Sequence, residues 1–212
     1  MISSLLIVGA GGHGKVVAET AEAMGVWEKI AFLDDRCEEL DGTLRWSVLG
    51  AVGDAKTLQP EYADAVVAVG DADMRLKLIK QLAVESFHLP VLIHPAAWVS
   101  PSVRLGEGSV VFAQAAVNAD THIGLGIIVN TGATVDHDCV IGDGVHICPG
   151  AHLGGGVSVG RASWIGIGAS VIQQIRIGAN VTVGAGAVVV ADVSDDVTAA
   201  GVPARILSGR KS

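Results

Sequence analysis

The chain has 212 residues, half of them hydrophobic and 17% charged, with a formal net charge of −8 at pH 7. That length and apolar content can bury one large core or two modest ones and speak against disorder. The acidic balance, with a pI near 5.2, excludes a surface that neutralises nucleic-acid phosphates or docks on anionic lipid, because both need a basic excess, and leaves small-molecule chemistry as the default.

The apolar opening, Leu5 to Val8, is too short for a signal peptide and lacks a basic leader, and no apolar run reaches the roughly 18 residues a bilayer span needs. A cytoplasmic protein without membrane insertion is expected. In chain order, LLIVG predicts a strand, GKVVAETAEAMG a helix, KIAFLDD a strand, YADAVVAVG another strand and MRLKLIKQLAVES a helix. This alternation predicts a βαβ domain with a parallel sheet over residues 1–91.

Gly9, Gly11 and Gly14 in GAGGHG form a GxGxxG directly after the first strand and opening the first helix, with Asp34 and Asp35 at the end of the next strand. Such a turn lets backbone amides and a helix N-terminus approach a pyrophosphate, and the acidic pair suits ribose hydroxyls or a base N–H edge. A nucleotide is indicated more than NAD, since a dinucleotide fold needs two such halves and this segment supplies one. His13, inside the loop, is placed to hydrogen-bond a phosphate or sugar. The three cysteines, Cys37, Cys139 and Cys148, match no metal or redox spacing and read as reduced packing thiols.

From Leu92 the composition changes, and residues 92–212 form the second predicted domain. Every sixth residue from Ile93 to Val189 is aliphatic, seventeen in succession without a slip. The residue two places earlier is mostly small, as at Ala115, Thr121, Ala133, Cys139 and Ala151, and glycine often follows, as at Gly124, Gly142 and Gly166. A helix needs a period near 3.6 and a half-buried strand a period of 2. Period six predicts a parallel β-helix in which each hexad makes one short flat side, the aliphatic residue points inward, and glycine relieves crowding at the corners. This pattern resembles the hexapeptide-repeat acyltransferases, whose left-handed β-helix spends three hexads on each triangular coil. The resemblance implies that residues eighteen apart stack on adjacent coils, about 4.8 Å from each other.

On that coil Asp136, His137 and Asp138 lie between the inward Val135 and Ile141, with His137 facing out. Eighteen residues on lies Gly155, within Gly154, Gly155 and Gly156; eighteen beyond His146 lies Trp164. A neutral imidazole is a suitable base near pH 7, a neighbouring carboxylate orients it and raises its proton affinity, and a bare peptide N–H can receive charge developing on a carbonyl oxygen. The combination suits acyl transfer with the nucleophile on the substrate, since no Ser or Cys stands beside the histidine as part of a triad. His122, His137, His146 and His152 fall at different offsets within the coil, so no metal site is expected.

The ordered series GAGGHG, FLDD, VAVGDADMRLKL, LIHPAAWVSPS, VNTGATVDHDCVIGDGVHICPGAHLGGGVSVG and GVPARIL is similar to one branch of that family: the sugar O- and N-acetyltransferases that include sialic acid O-acetyltransferases and the UDP-4-amino-sugar N-acetyltransferase of the bacillosamine pathway. The resemblance implies that Gly11, Gly12 and His13 hold the diphosphate or sugar, Asp34 and Asp35 the uridine end, and that Gly70 lies under the ligand. It implies His137 as general base, Asp138 as the acid that raises its basicity, and Asn130 as a polar neighbour. It implies His146, Gly155, Ile167 and Ala185 as contacts of acetyl-CoA, the co-substrate, in a homotrimer that binds it between adjacent β-helices. The bacillosamine enzyme has glutamate after the base where this chain has Asp138, one methylene shorter. The expected activity is acetyl-CoA-dependent N-acetylation of a UDP-linked 4-amino-4,6-dideoxy sugar in glycan biosynthesis; the alternatives are O-acetylation of sialic acid or a related sugar, and an NAD-reading module.

Overall fold

The computed structural model describes residues 3–207. The chain divides into two compact units, Met1–His94 and Pro95–Ser212.

In the first unit, three strands form a parallel sheet with Ser4–Val8 in the middle, flanked by Lys29–Leu33 and Asp64–Val67. The central strand is buried along its whole length, which is why it reads as an unbroken apolar run rather than an alternating one. Two thirteen-residue helices, Gly12–Met24 and Ala72–Val84, follow the first and third strands. Asp71 caps the second, its Oδ1 accepting from the Met74 amide at 2.7 Å, which satisfies one of the amides that a helix start leaves open. The strands' carboxyl ends therefore gather three loops at one edge: Gly9–Gly11, Asp34–Arg36 and Ala68–Asp71.

The second unit is a parallel β-solenoid with three sides. Two-residue strands recur every six residues, and through Ser170–Val171 they pair with the strand eighteen residues on, as Ile128 with His146, Thr134 with His152 and Val140 with Ser158, whereas Thr182 and Val183 pair with Thr198 and Ala199, sixteen on. The first side carries the strands beginning at Val110, Ile128, His146, Trp164 and Thr182; the second those at Trp98, Ala116, Thr134, His152, Ser170 and Val188; the third those at Arg104, His122, Val140, Ser158 and Arg176. The inward aliphatic positions from Val111 to Val189 are all 5% exposed or less, and the small residues two places before them are equally sealed, as at Ala133, Cys139 and Ala151. On other sides that position holds Ile127, Val145, Val157, Ile175 or Val181, all 8% exposed or less, so each side of the interior takes the inward aliphatic residue with either a small residue or a second aliphatic one.

The corners refine the sequence reading of glycine. The left-handed backbone at each corner falls three residues after the inward one, and is taken by Gly132, Gly144 and Gly150 but also by Gln114, Asp120, Asp138 and Asn180. The glycines directly after the inward residue serve a different need. A Cβ on Gly142 would come 2.8 Å from the Arg161 amide, and one on Gly166 would come 2.7 Å from that of Ala185. They are required by the approach of the next coil rather than by φ. At the C-terminal end Ala199 pairs antiparallel with Ile206, closing the stack with a hairpin. Among the described residues no helix is long and apolar enough to cross a membrane.

Candidate active site

His137 sits at the corner between the second and third sides, directly after the strand Thr134–Val135. The corner is clamped from both neighbouring coils: Asp138 N donates to Ala119 O at 3.0 Å, Gly156 N donates to His137 O at 2.8 Å, and Asp136 N donates to Leu153 O at 3.0 Å. Asp138 takes the left-handed conformation at φ 59°, which Asp tolerates better than most residues. Its carboxylate is thereby turned back on the preceding side chain, and Oδ2 lies 2.7 Å from His137 Nδ1. With Nδ1 so engaged, Nε2 is the nitrogen left to accept a proton.

Two carboxylates hold the imidazole pKa above its ordinary 6.5: Asp138 chiefly through the hydrogen bond, and Asp136 through its charge. Asp136 is kept ionised by its own contacts. Its Oδ1 accepts from Asn118 Nδ2 at 3.0 Å and from the His137 amide at 2.9 Å, and these bonds hold its carboxyl below the usual range. Asn118 stands eighteen residues before Asp136, so the offset that sets Gly155 beside His137 also sets Asn118 beside Asp136, a contact that motif and charge alone do not indicate.

The other face of the imidazole rests on Gly155. A Cβ at that position would stand 2.6 Å from both Cε1 and Nε2 of His137, so only glycine leaves the ring where it is. The structure thus brings together His137, Asp138 and Gly155 as the eighteen-residue offset requires. Burial pushes the Cys148 thiol up to about 12 and raises Cys139 as well, which disfavours the thiolate at both, and all three cysteines are free. Among the described residues no group of three or more His, Cys, Asp or Glu side chains could hold a metal ion.

The remaining solenoid candidates lie elsewhere on the prism. His146 is on the first side and only 8% exposed; its ring meets Trp164 edge-on at 4.2 Å between centroids. Asn130, at the end of the same side one coil earlier, donates from Nδ2 to His146 Nε2 at 3.0 Å. Ile167, 60% exposed, and Ala185 occupy the corner between the first and second sides, stacked one above the other. In a three-sided prism the corner bearing His137 is opposite the side bearing His146, so one chain does not bring these two groups together.

In the first unit the candidates all fall at the carboxyl edge of the sheet. Gly9 has φ 105°, and a Cβ there would come 2.8 Å from Ala68 O, so the turn after the first strand requires glycine. Apart from adjoining backbone, nothing among the described residues lies within 4 Å of the Cβ position on Gly11, Gly12 or Gly70, leaving this rim open. Asp34 is tied into the scaffold: Oδ2 accepts from the Ala10 amide at 2.8 Å, and Oδ1 accepts from the amide and Nε of Arg36 at 3.0 and 3.1 Å. Burial pushes its carboxyl up, but the bonds from Arg36 and Ala10 outweigh that and leave it below the usual range. Asp35 Oδ1 accepts from the Val52 amide at 3.0 Å. His13 is pushed down to about 4 by burial and, secondarily, by the positive charge of Arg75.

A family profile described as the PglD N-terminal domain matches residues 4–82. The acetyltransferase domain of PglB from Neisseria gonorrhoeae FA1090, solved with acetyl coenzyme A, superposes with a TM-score of 0.93 at 49% identity, covering 98% of this chain and 100% of that one. The chain belongs to the hexapeptide-repeat sugar acetyltransferases. PerB of Caulobacter crescentus, solved with CoA and GDP-perosamine, gives a TM-score of 0.92 at 45% identity, covering 98% of this chain and 99% of that one. In sequence, the UDP-N-acetylbacillosamine N-acetyltransferase of Bacillus subtilis (strain 168) is 43% identical over 114 residues, which is 53% of this chain and 52% of that relative; the match spans about half the length of the curated protein. Family membership accounts for the joining of a half-dinucleotide fold to a β-solenoid.

Proposed function

We propose that this chain is an acetyl-CoA-dependent N-acetyltransferase that acetylates the amine of a UDP-linked 4-amino-4,6-dideoxy sugar. The observation that carries the reading is the His137 imidazole, bonded through Nδ1 to Asp138 at 2.7 Å and set with Nε2 against Gly155. In this reading the sugar nitrogen bonds the acetyl carbon while His137 Nε2 takes the proton that the nitrogen sheds. The Gly155 N–H donates to the carbonyl oxygen as it gains charge. The carbon–sulfur bond then breaks, and coenzyme A leaves as the thiolate. Asp138 steadies the imidazolium formed on the way, and Asp136, fixed by Asn118, adds a second negative charge nearby.

The nucleotide end belongs to the first unit. Gly11, Gly12 and His13 face the diphosphate, Gly70 lies under it, and Asp34 and Asp35 shape the uridine end. The relatives support an amino-sugar acceptor: one is named for a UDP-sugar, and another was solved with a GDP-linked amino sugar and also crystallised with one histidine replaced by asparagine or alanine.

We further propose a homotrimer. His137 occupies one corner, while Asn130, His146, Ile167 and Ala185 lie on the opposite side or at another corner. A groove between two copies of the chain would present both sets to one acetyl donor, which supports the assembly. The reaction is assigned to the cytoplasm, where acetyl-CoA is available and three free thiols stay reduced.

The test is release of free thiol from acetyl-CoA against UDP-4-amino sugars, a GDP-linked amino sugar, UDP-sugars lacking the amine, and free sialic acid. Turnover confined to the amine-bearing nucleotide sugars is the expected result. Turnover with sialic acid alone would replace the reading by O-acetylation, and thiol release with none of them would end it.

A further inference from the structure

Arg75 lies on the helix Ala72–Val84 one turn after the cap, its amide donating to Asp71 O at 2.9 Å. It is 1% exposed, on the same helix face as Ile79 and Leu82, where the apolar spacing calls for a hydrophobic residue. A guanidinium sealed from water is costly and persists only when its donors are used. Here Nη1 donates to Val69 O at 2.7 Å and to Gly70 O at 2.8 Å, so one buried cation gathers two successive carbonyls of the loop that follows the third strand.

Peptide geometry gives this a consequence at the opposite face of the loop. In a trans peptide the C=O and the N–H point in opposite directions, and among the described residues the only cis bond is Val202–Pro203. Drawing the Val69 and Gly70 carbonyls in toward Arg75 therefore turns the Gly70 and Asp71 N–H groups away from it, at the start of the helix and over buried positive charge. Apart from its chain neighbours, nothing among the described residues lies within 4 Å of the Cβ position on Gly70, which is exposed, so this rim is open to a ligand. Burial lowers Arg75 only to about 10, so it stays charged at neutral pH, and the same charge helps to keep His13 neutral.

We infer that Arg75 is a positioning residue for the nucleotide diphosphate: it never touches the ligand, but fixes the Val69–Gly70 peptides so that consecutive amides face the phosphate oxygens. Backbone amides presented in this way are a recurrent means of binding phosphate. The inference rests on the reading that Gly70 lies under a nucleotide sugar. It adds a residue that neither the glycine-rich turn nor the acidic pair accounts for. Lysine cannot replace Arg75, since a single ammonium lacks the planar fork that presents several fixed donors.

The experiment titrates the full-length wild-type chain, Arg75→Lys and Arg75→Met with UDP and with GDP by calorimetry, and measures thiol-release kinetics with the best acceptor. If wild type binds neither nucleotide, the nucleotide-sugar reading itself falls, whatever the variants do. If wild type binds one, both variants are expected to weaken it by roughly tenfold or more, the worth of a charge-assisted hydrogen bond. They are expected to raise KM for the sugar by a similar factor while leaving kcat and KM for acetyl-CoA within about twofold of wild type. Wild-type affinity in Arg75→Lys, or a loss confined to kcat, would overturn the inference. Hydrogen exchange on the wild type covers the case in which both variants misfold: saturating UDP should protect the Gly70 and Asp71 amides, and unchanged exchange there would overturn it equally.

Discussion

Replacing Gly155 by alanine adds one methyl group where the imidazole rests. The new carbon would stand 2.6 Å from Cε1 and Nε2 of His137, whereas non-bonded carbons settle at about 3.5 Å or more, so one partner must recede by roughly 1 Å. The backbone is poorly placed to yield: Gly154 N donates to Val171 O at 2.9 Å, Gly156 N to His137 O at 2.8 Å, and Gln174 N to Gly155 O at 2.8 Å. The imidazole, with its side chain 60% exposed, is free to swing, and doing so lengthens its bond to Asp138. Misplacing a catalytic group by about 1 Å costs on the order of 10²-fold, so kcat should fall about a hundredfold. Stability should change little, because Gly155 lacks the positive φ that penalises alanine and alanine stiffens the unfolded chain. Thiol release at saturating acetyl-CoA and acceptor, beside a thermal melt, measures both quantities. Wild-type kcat in a folded Gly155→Ala protein would refute the argument that ring placement against this glycine governs the reaction.

His137→Ala should keep its affinity for acetyl-CoA and lose turnover by about two to four decades; undiminished turnover would remove the base role. Asp138→Asn should move the acid limb of kcat/KM to lower pH. Only the neutral imidazole takes a proton, Asp138 and Asp136 hold its pKa above 6.5, and the amide restores no charge. For folding, the sign runs the other way: the pair favours the protonated ring, so the stability it adds is fully present below 6.5 and is lost as pH rises through the raised value. A limb that stays in place would detach Asp138 from the base. Ile147→Ala, at a position 0% exposed, should cost about 2–5 kcal/mol in a urea titration, and a loss below about 1 kcal/mol would contradict the closed packing of the prism.

The solenoid was legible because its physical constraint repeats: a narrow interior admits one aliphatic residue every six places, and from Val111 to Val189 the chain never breaks the rule. The same regularity makes an eighteen-residue offset into a distance, so the sequence alone sets Gly155 beside His137. Less was legible where the cause is not periodic. The left-handed corners fall on Gln114, Asp120, Asp138 and Asn180 as well as on glycine, because corner conformation is tolerated by several side chains. The glycines that stand out in the sequence answer to contact with the next coil. Arg75 could have been noticed as a charge on an apolar helix face, yet its partners are backbone carbonyls and leave no pattern in side-chain order.

The division of the solenoid site among different sides follows from the same winding. A six-residue period places residues eighteen apart on one line and residues nine apart, such as His137 and His146, half a turn away. The two groups therefore face different directions on one chain, which is the geometric support for the proposed assembly. Under the homotrimer proposed above, oligomeric assembly is a condition of the chemistry proposed for His137. It follows that dilution below the dissociation constant of the oligomer should abolish turnover in a protein whose individual chains remain fully folded.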